Sequence, residues 1–358
     1  MRMFRAYQFI LILLAFALGC SRDDAPVSLR AGEVFAKAKQ AIARADHAET
    51  KRLLREALGL YERAGDIPGQ AETSLLLGEA YSAAAGFDSA LTLFVQARKL
   101  YQRAGDKSGV RAAIFGQAGM HRVRGEEWQA FSVLMDQHRL EEALGDSAGA
   151  RLLKWELVPV SRAVGDFALE RRLLGELLNE YSVIGDDAIL ARVHSAFGNT
   201  SISRSDYGEA VRNFGAALPY ALRSQDTLLT IQTFLSLAVA YDMLGRENDS
   251  FQMFTEGIRR TDMISGADAL REEMLLRVGN IHLRRKRYEE AHKFFNAALR
   301  AAIGSQNRLT EAYALLQLAH CLDATGNAEA EANYRAGAAL LEYIGLPKAN
   351  AYAQACLA

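Results

Sequence analysis

Small, bulky and polar positions recur along this chain at a fixed step of 40 residues. The strings YERAGD at 61–66 and YQRAGD at 101–106 lie one step apart, and Leu144-Gly145-Asp146, Ile184-Gly185-Asp186 and Ser224-Gln225-Asp226 keep the same step. Weaker echoes follow at Gly266, Gly304 and Gly345. A fixed period of roughly 20–50 residues is the mark of a solenoid or array. With units counted from Ala31, Ala71, Arg111, Arg151, Ala191, Ile231, Glu272 and Glu311, the eighth position is mostly small: Ala38, Gly78, Ala118, Gly198, Ala238 and Gly279. The twentieth is also mostly small, while the twenty-fourth is bulky throughout: Leu54, Phe94, Leu134, Leu174, Phe214, Phe254, Phe295 and Tyr334. Positions 20, 24 and 27 fall on one helical face, and a small residue on each of two neighbouring helices permits close approach beside a large one. The pattern therefore predicts two helices per unit.

Between the two helices the sequence places a turn, at Gly86, Gly125, Gly165, Gly245 and Gly326, and at Ser205-Asp206 in the fifth unit. The second helix is expected to end at the Gly of each Gly-Asp pair, since glycine takes the left-handed C-cap conformation at little cost. Two features weaken the fourth unit. Glu170 stands where a small residue is usual, and Pro159 is expected to kink or shorten its first helix.

The segment LLLGEAYSAAAGFDSALTLFVQA at 75–97 carries Leu, Gly, Tyr, Ala, Phe and Ala at the offsets of the tetratricopeptide repeat, which the pattern resembles. The 40-residue step with Ala-Gly-Asp resembles the longer subtype found in spindle-orientation adaptors, quorum-peptide regulators and kinesin light chains. The resemblance spans residues 31–350 and implies an all-α fold, a right-handed superhelical solenoid of about eight helix-turn-helix repeats, closed by a capping segment at 351–358. It further implies a concave groove lined by the first helices at their second, fifth, ninth, twelfth and thirteenth positions. By that resemblance Asn199 and Asn280 occupy the place where an amide holds a bound peptide's backbone, and an amide can both donate and accept there. Arg122, Arg162, Arg192 and Arg284 also fall at groove positions, where a guanidinium pairs with carboxylates. Glu72, Glu79, Asp242 and Glu273 oppose them, so no single-sign field is expected. Phe115 and Trp155 share the groove register or belong to the core.

The amino terminus needs separate reading. Arg2 and Arg5 precede an apolar run from Phe9 to Leu18, too short for a membrane span of about 20 residues and matched to a signal-peptide core. Ala17-Leu18-Gly19-Cys20 resembles the lipobox of bacterial lipoproteins, which implies cleavage after residue 19 and lipidation of Cys20. The alternative is an ordinary secretory signal with an incidental cysteine. Ser21 rather than Asp after the cysteine implies, by the same resemblance, the outer membrane facing the periplasm. Residues 20–30 then read as a lipidated tether.

Over 358 residues the chain carries 42 basic and 43 acidic residues, a net charge of −1, with 50% apolar residues. Loss of Arg2 and Arg5 with the signal leaves −3. That balance argues against a general electrostatic grip on nucleic acid. The string GDSAG at 145–149 fits a G-x-S-x-G nucleophile elbow, but the elbow needs a strand before it. Its equivalents read GDIPG at 65–69 and GDKSG at 105–109, so Ser147 reads as part of a repeat joint. The seven histidines are scattered, with no paired metal-ligand motif and no Gly-rich phosphate loop, so no cofactor, metal or catalytic residue is expected. Cys321 and Cys356 read either as buried thiols or as a disulfide formed in an oxidising compartment. The expected function is a lipid-anchored scaffold that binds a peptide or protein partner during envelope or surface-structure assembly. The alternative is a ligand-sensing regulator.

Overall fold

The computed structural model describes residues 27–345. Cys20, the signal segment, residues 20–26 of the tether and residues 346–358 with Cys356 lie outside them. Among the described residues the fold is all-α, with sixteen helices and no strand. They are α1 (Val27–Ala43), α2 (His47–Ala64), α3 (Ile67–Ala83), α4 (Phe87–Ala104), α5 (Lys107–Val123), α6 (Glu127–Ala143), α7 (Ser147–Ala163) and α8 (Phe167–Ile184). The series continues with α9 (Asp187–Ser203), α10 (Tyr207–Arg223), α11 (Thr227–Met243), α12 (Glu247–Thr261), α13 (Asp268–Arg284), α14 (Tyr288–Ser305), α15 (Arg308–Ala324) and α16 (Ala330–Ile344). Odd-numbered helices are the first, and even-numbered the second, members of eight hairpins. The chain divides into two compact units inside α8, between Leu173 and Leu174.

First helices begin at residues 27, 67, 107, 147, 187, 227, 268 and 308. The single 41-residue step falls where six residues, 262–267, join α12 to α13, and Ala267 tucks into the core there. The helical start at Val27 turns residues 27–30, expected as tether, into the first turn of α1.

Both residues of each Gly-Asp pair act. Gly65 and Gly105 close α2 and α4 at φ of 68° and 73°. The following Asp66, Asp106 and Asp146 accept a backbone N–H from Gly69, Gly109 and Gly149, capping the next first helix. Asp186 and Asp226 do the same for Ile189 and Leu229. Ser147 is thus the first residue of α7 behind an Asp146 cap, in the place Ile67 and Lys107 hold in α3 and α5. Two turn assignments shift. In the second hairpin the left-handed residue is Ala85, and Gly86 is the cap of α4 at φ −84°. In the seventh, Gln306 takes the left-handed conformation and Gly304 stays inside α14.

The small and bulky positions meet as the spacing requires. A Cβ added at Gly78, Gly198 or Gly279 would lie 2.9, 2.6 or 2.4 Å from the ring of Phe94, Phe214 or Phe295, the twenty-fourth residue of the same unit. In the eighth unit Ala319 fills the small position, in one cluster with Tyr334, so its first helix is registered one residue later than Glu311 implies. Joints between hairpins follow a second rule: Tyr61 covers Gly69 and Tyr101 covers Gly109, so closely that neither glycine has room for a methyl group. Pro159 does not shorten α7, which has the same 17 residues as α3 and α5.

Candidate functional site

The second helices α2, α4, α6, α10, α12 and α14 each pack between two first helices, their own partner and the next, and successive first helices also touch directly: α3 with α5, α5 with α7, and α9 through α11 and α13 to α15. The first helices therefore line the crowded inner side. Ion pairs across this side confirm which positions face one another. Lys39 on α1 meets Glu72 on α3 at 2.8 Å, and Arg284 on α13 reaches Asp242 on α11 and Glu247 at the start of α12. Burial holds the Glu79 carboxyl above its ordinary range although the residue is solvent-exposed, as expected for a group in a recess of the surface.

The predicted binding residues separate into two groups. Asn199 on α9 and Arg122 on α5 are exposed, and Asn280 on α13 is half-exposed. Among the described residues these three side chains have no partner within the chain. Between the two asparagines, on α11, lies half-exposed Val239, with Leu235 and Leu276 beside it in the same register. The other three arginines are engaged. Arg192 lies 3.5 Å from Asp226, and Arg284 is shared between Asp242 and Glu247. Arg162 donates from Nε and Nη2 to Oε1 of Glu170, at 2.8 and 2.6 Å, and that carboxylate is fully buried. Arg162, expected to face a ligand, is thus the counter-ion of the residue that breaks the small-residue rule. A carboxylate removed from water requires such a partner. Phe115 and Trp155 are both half-buried on the inner side of the first unit.

Other buried polar groups went unread in the sequence. Glu141 stands in α6 where Tyr61 and Tyr101 stand in α2 and α4. It is buried with Gln137 against half-buried Arg111, which also contacts Asp146 at 3.1 Å. An Arg opening the third unit, where the first two open on Ala, and a Glu thirty residues later in place of Tyr are the signal that exposes this joint. Glu272 is buried at the start of the seventh unit, accepting from Ser305 Oγ and from Asn307 Nδ2 at 2.7 Å. Cys321 is buried on the side of α15 that meets α14, beside Ala291 and Phe295, and burial pushes its thiol up to about 11. Among the described residues no cluster of three or more His, Cys, Asp or Glu side chains suits a metal, and no helix is long and apolar enough to cross a membrane.

No family model matches the sequence, and no curated protein matches it. Among solved structures, the chain is similar to the apo form of the quorum sensor NprR from B. thuringiensis, at 12% identity over 93% of this chain and 92% of that one, with a TM-score of 0.61. It is similar at 16% identity over 94% of its length, TM-score 0.64, to a signal-transduction ATPase with a tetratricopeptide repeat sensor from Pyrococcus horikoshii, and spans about half, 49%, of that protein. A Rap protein complexed with Competence and Sporulation Factor matches at 10% identity over 92% of this chain and 97% of that one, TM-score 0.51. At these identities the likeness establishes the fold. The chain folds as a tetratricopeptide-type solenoid.

Proposed function

We propose that this protein is a lipid-anchored scaffold whose inner, first-helix face binds an extended peptide or a segment of a partner protein in the cell envelope. The observation that carries the reading is the pair of uncommitted amides, Asn199 and Asn280, two hairpins apart on the inner side of the second unit with apolar Val239 between them. An amide can donate to one backbone carbonyl and accept from one backbone N–H, so two of them in line suit a ligand of varied sequence held by its main chain. Half-exposed Leu235 and Leu276 offer apolar contact between these anchors. Lipidation of Cys20, export, and a place on the periplasmic face of the outer membrane rest on the resemblance of residues 1–20 to a lipoprotein signal.

Asn199→Ala with Asn280→Ala tests the reading, because neither side chain supports the fold. Affinity capture from the source membrane should recover a partner with the natural chain and lose it with the double variant. Equal recovery by both would remove the groove from the account. The anchor has its own test: Cys20→Ser should move the protein from the membrane to the soluble fraction, and unchanged fractionation would refute it.

A second reading, a peptide-sensing regulator, draws support from the fold likeness to a quorum sensor over most of the chain. It predicts saturable thermal stabilisation by a short peptide in the absence of any larger partner.

A further inference from the structure

We infer that a second copy of this chain docks on the edge of the second unit where hairpin meets hairpin. At each such joint a left-handed residue lies two positions before the next first helix, and the residues three before and three after it reach the surface. In the first unit the positions before are Glu62, Gln102 and Glu142, and those after are Pro68, Ser108 and Ala148. In the second unit the positions before Gln225, Gly266 and Gln306 are Leu222, Met263 and Ile303, and those after are Leu228, Ala269 and Leu309. The five large residues are between 40 and 68% exposed. Exposed Tyr343 near the end of α16 continues the edge.

Scattered exposed leucines need no explanation, but a large exposed apolar residue recurs three positions before the left-handed residue at three successive joints, from the last turn of α10 and of α14 and from the connection after α12, and these form a row. Five half-exposed side chains make a patch on the order of 400 Å², the size at which an apolar surface marks an interaction site. Enclosed by a polar rim, such a centre matches the roughly 800 Å² per partner of a standard interface.

The rim indicates the occupant. Arg223 pairs with Asp187 at 2.8 Å, Arg192 with Asp226, Arg271 with Asp262, and Arg308 with Glu311 at 2.7 Å. These charges are neutralised within the chain, and Asp268 and Arg300, which share a recess with Arg271, are of opposite sign, so the rim attracts neither a polyanion nor a polycation. A neutral rim around an apolar row complements another surface of the same kind, and two copies related by a two-fold axis supply it. The row is independent of the inner-face amides, so either reading can fail alone.

Sedimentation velocity on residues 20–358 bearing Cys20→Ser tests the inference across a wide concentration range. The chain should reach a dimer, and Leu222→Glu, Met263→Glu and Ile303→Glu together should weaken it about a hundredfold with an unchanged helical spectrum. The first unit carries Glu or Gln at these positions, so the fold accepts them. Met263→Cys should give disulfide-linked dimers on oxidation, and Gln102→Cys should not. A monomer at every concentration, or self-association that the triple variant leaves intact, would overturn the inference. So would binding to phosphatidylcholine vesicles that the triple variant abolishes without any dimer, which would give the edge to a bilayer.

Discussion

Gly279 has no room for a methyl group, because a Cβ there would lie 2.4 Å from Phe295, whereas one at Gly119 would meet nothing within 4 Å. Both glycines lie inside first helices, so alanine gains about 1 kcal/mol of helix propensity at either. At Gly279 overpacking costs about 1–3 kcal/mol and wins. Denaturant unfolding should therefore show Gly279→Ala less stable, and Gly119→Ala more stable, than the natural chain. His282 gives a pH dependence. It is buried beside Phe294, with ring centroids 5.3 Å apart, and against the edge of Phe251, and neither ring nitrogen has a hydrogen-bond partner. Burial lowers its pKa, and Arg287 and Arg285 lower it further while Glu290 opposes them. Below its ordinary value near 6.5 the unfolded chain takes up a proton that the folded chain resists. The stabilisation is complete above pH 6.5 and is lost as the pH falls through the folded-state value. His282→Phe should flatten this part of the stability profile, and an unchanged acid slope would contradict the assignment.

At the scale of helices, the buried carboxylates of Glu141, Glu170 and Glu272 mark where the repeat departs from its rule. Removing Arg162 takes away the guanidinium that contacts buried Glu170 through two nitrogens, which costs about 3 kcal/mol. Arg162→Ala with Glu170→Ala restores the small residue usual at that position and should recover most of the loss. The joint built on Glu141 goes further. Gly149 is retained there, the same glycine that at 69 and 109 makes room for a tyrosine ring. Arg111→Ala with Glu141→Tyr rebuilds the apolar joint of the earlier hairpins, and it should match or exceed the natural chain in melting temperature while Arg111→Ala alone falls below it. The helices themselves were legible because Gly78, Gly198 and Gly279 recur at the step of their Phe partners. Glu141 and Glu272 were not, because a period records what repeats and these residues are exceptions with partners on another helix, 30 and more positions away. The one-residue shift in the eighth unit was hidden for a related reason: Leu318 and Ala319 are adjacent, and only packing shows which faces Tyr334. The Asp that follows each glycine was visible as a motif, but its cap on the next helix emerged from the hydrogen bonds.

Over the whole molecule, eight hairpins were predicted and eight are present among the described residues, with first helices starting a few residues ahead of the counted units. The candidate site was legible only in part. Family register brought Asn199, Asn280 and Arg122 to the inner side, but it could not reveal that Arg162, Arg192 and Arg284 spend their charge inside the chain. Register names a face, and pairing depends on what the neighbouring helix happens to carry. The central claim is that the inner side of the first helices is where this protein meets its partner. Site-specific photo-crosslinking in the source membrane tests it most directly, with the probe placed in turn at Asn199, at Asn280 and at exposed Arg259 on α12. The account predicts the same crosslinked partner from the two asparagine positions and none from Arg259. Crosslinks from Arg259 alone, or none from either asparagine, would contradict it.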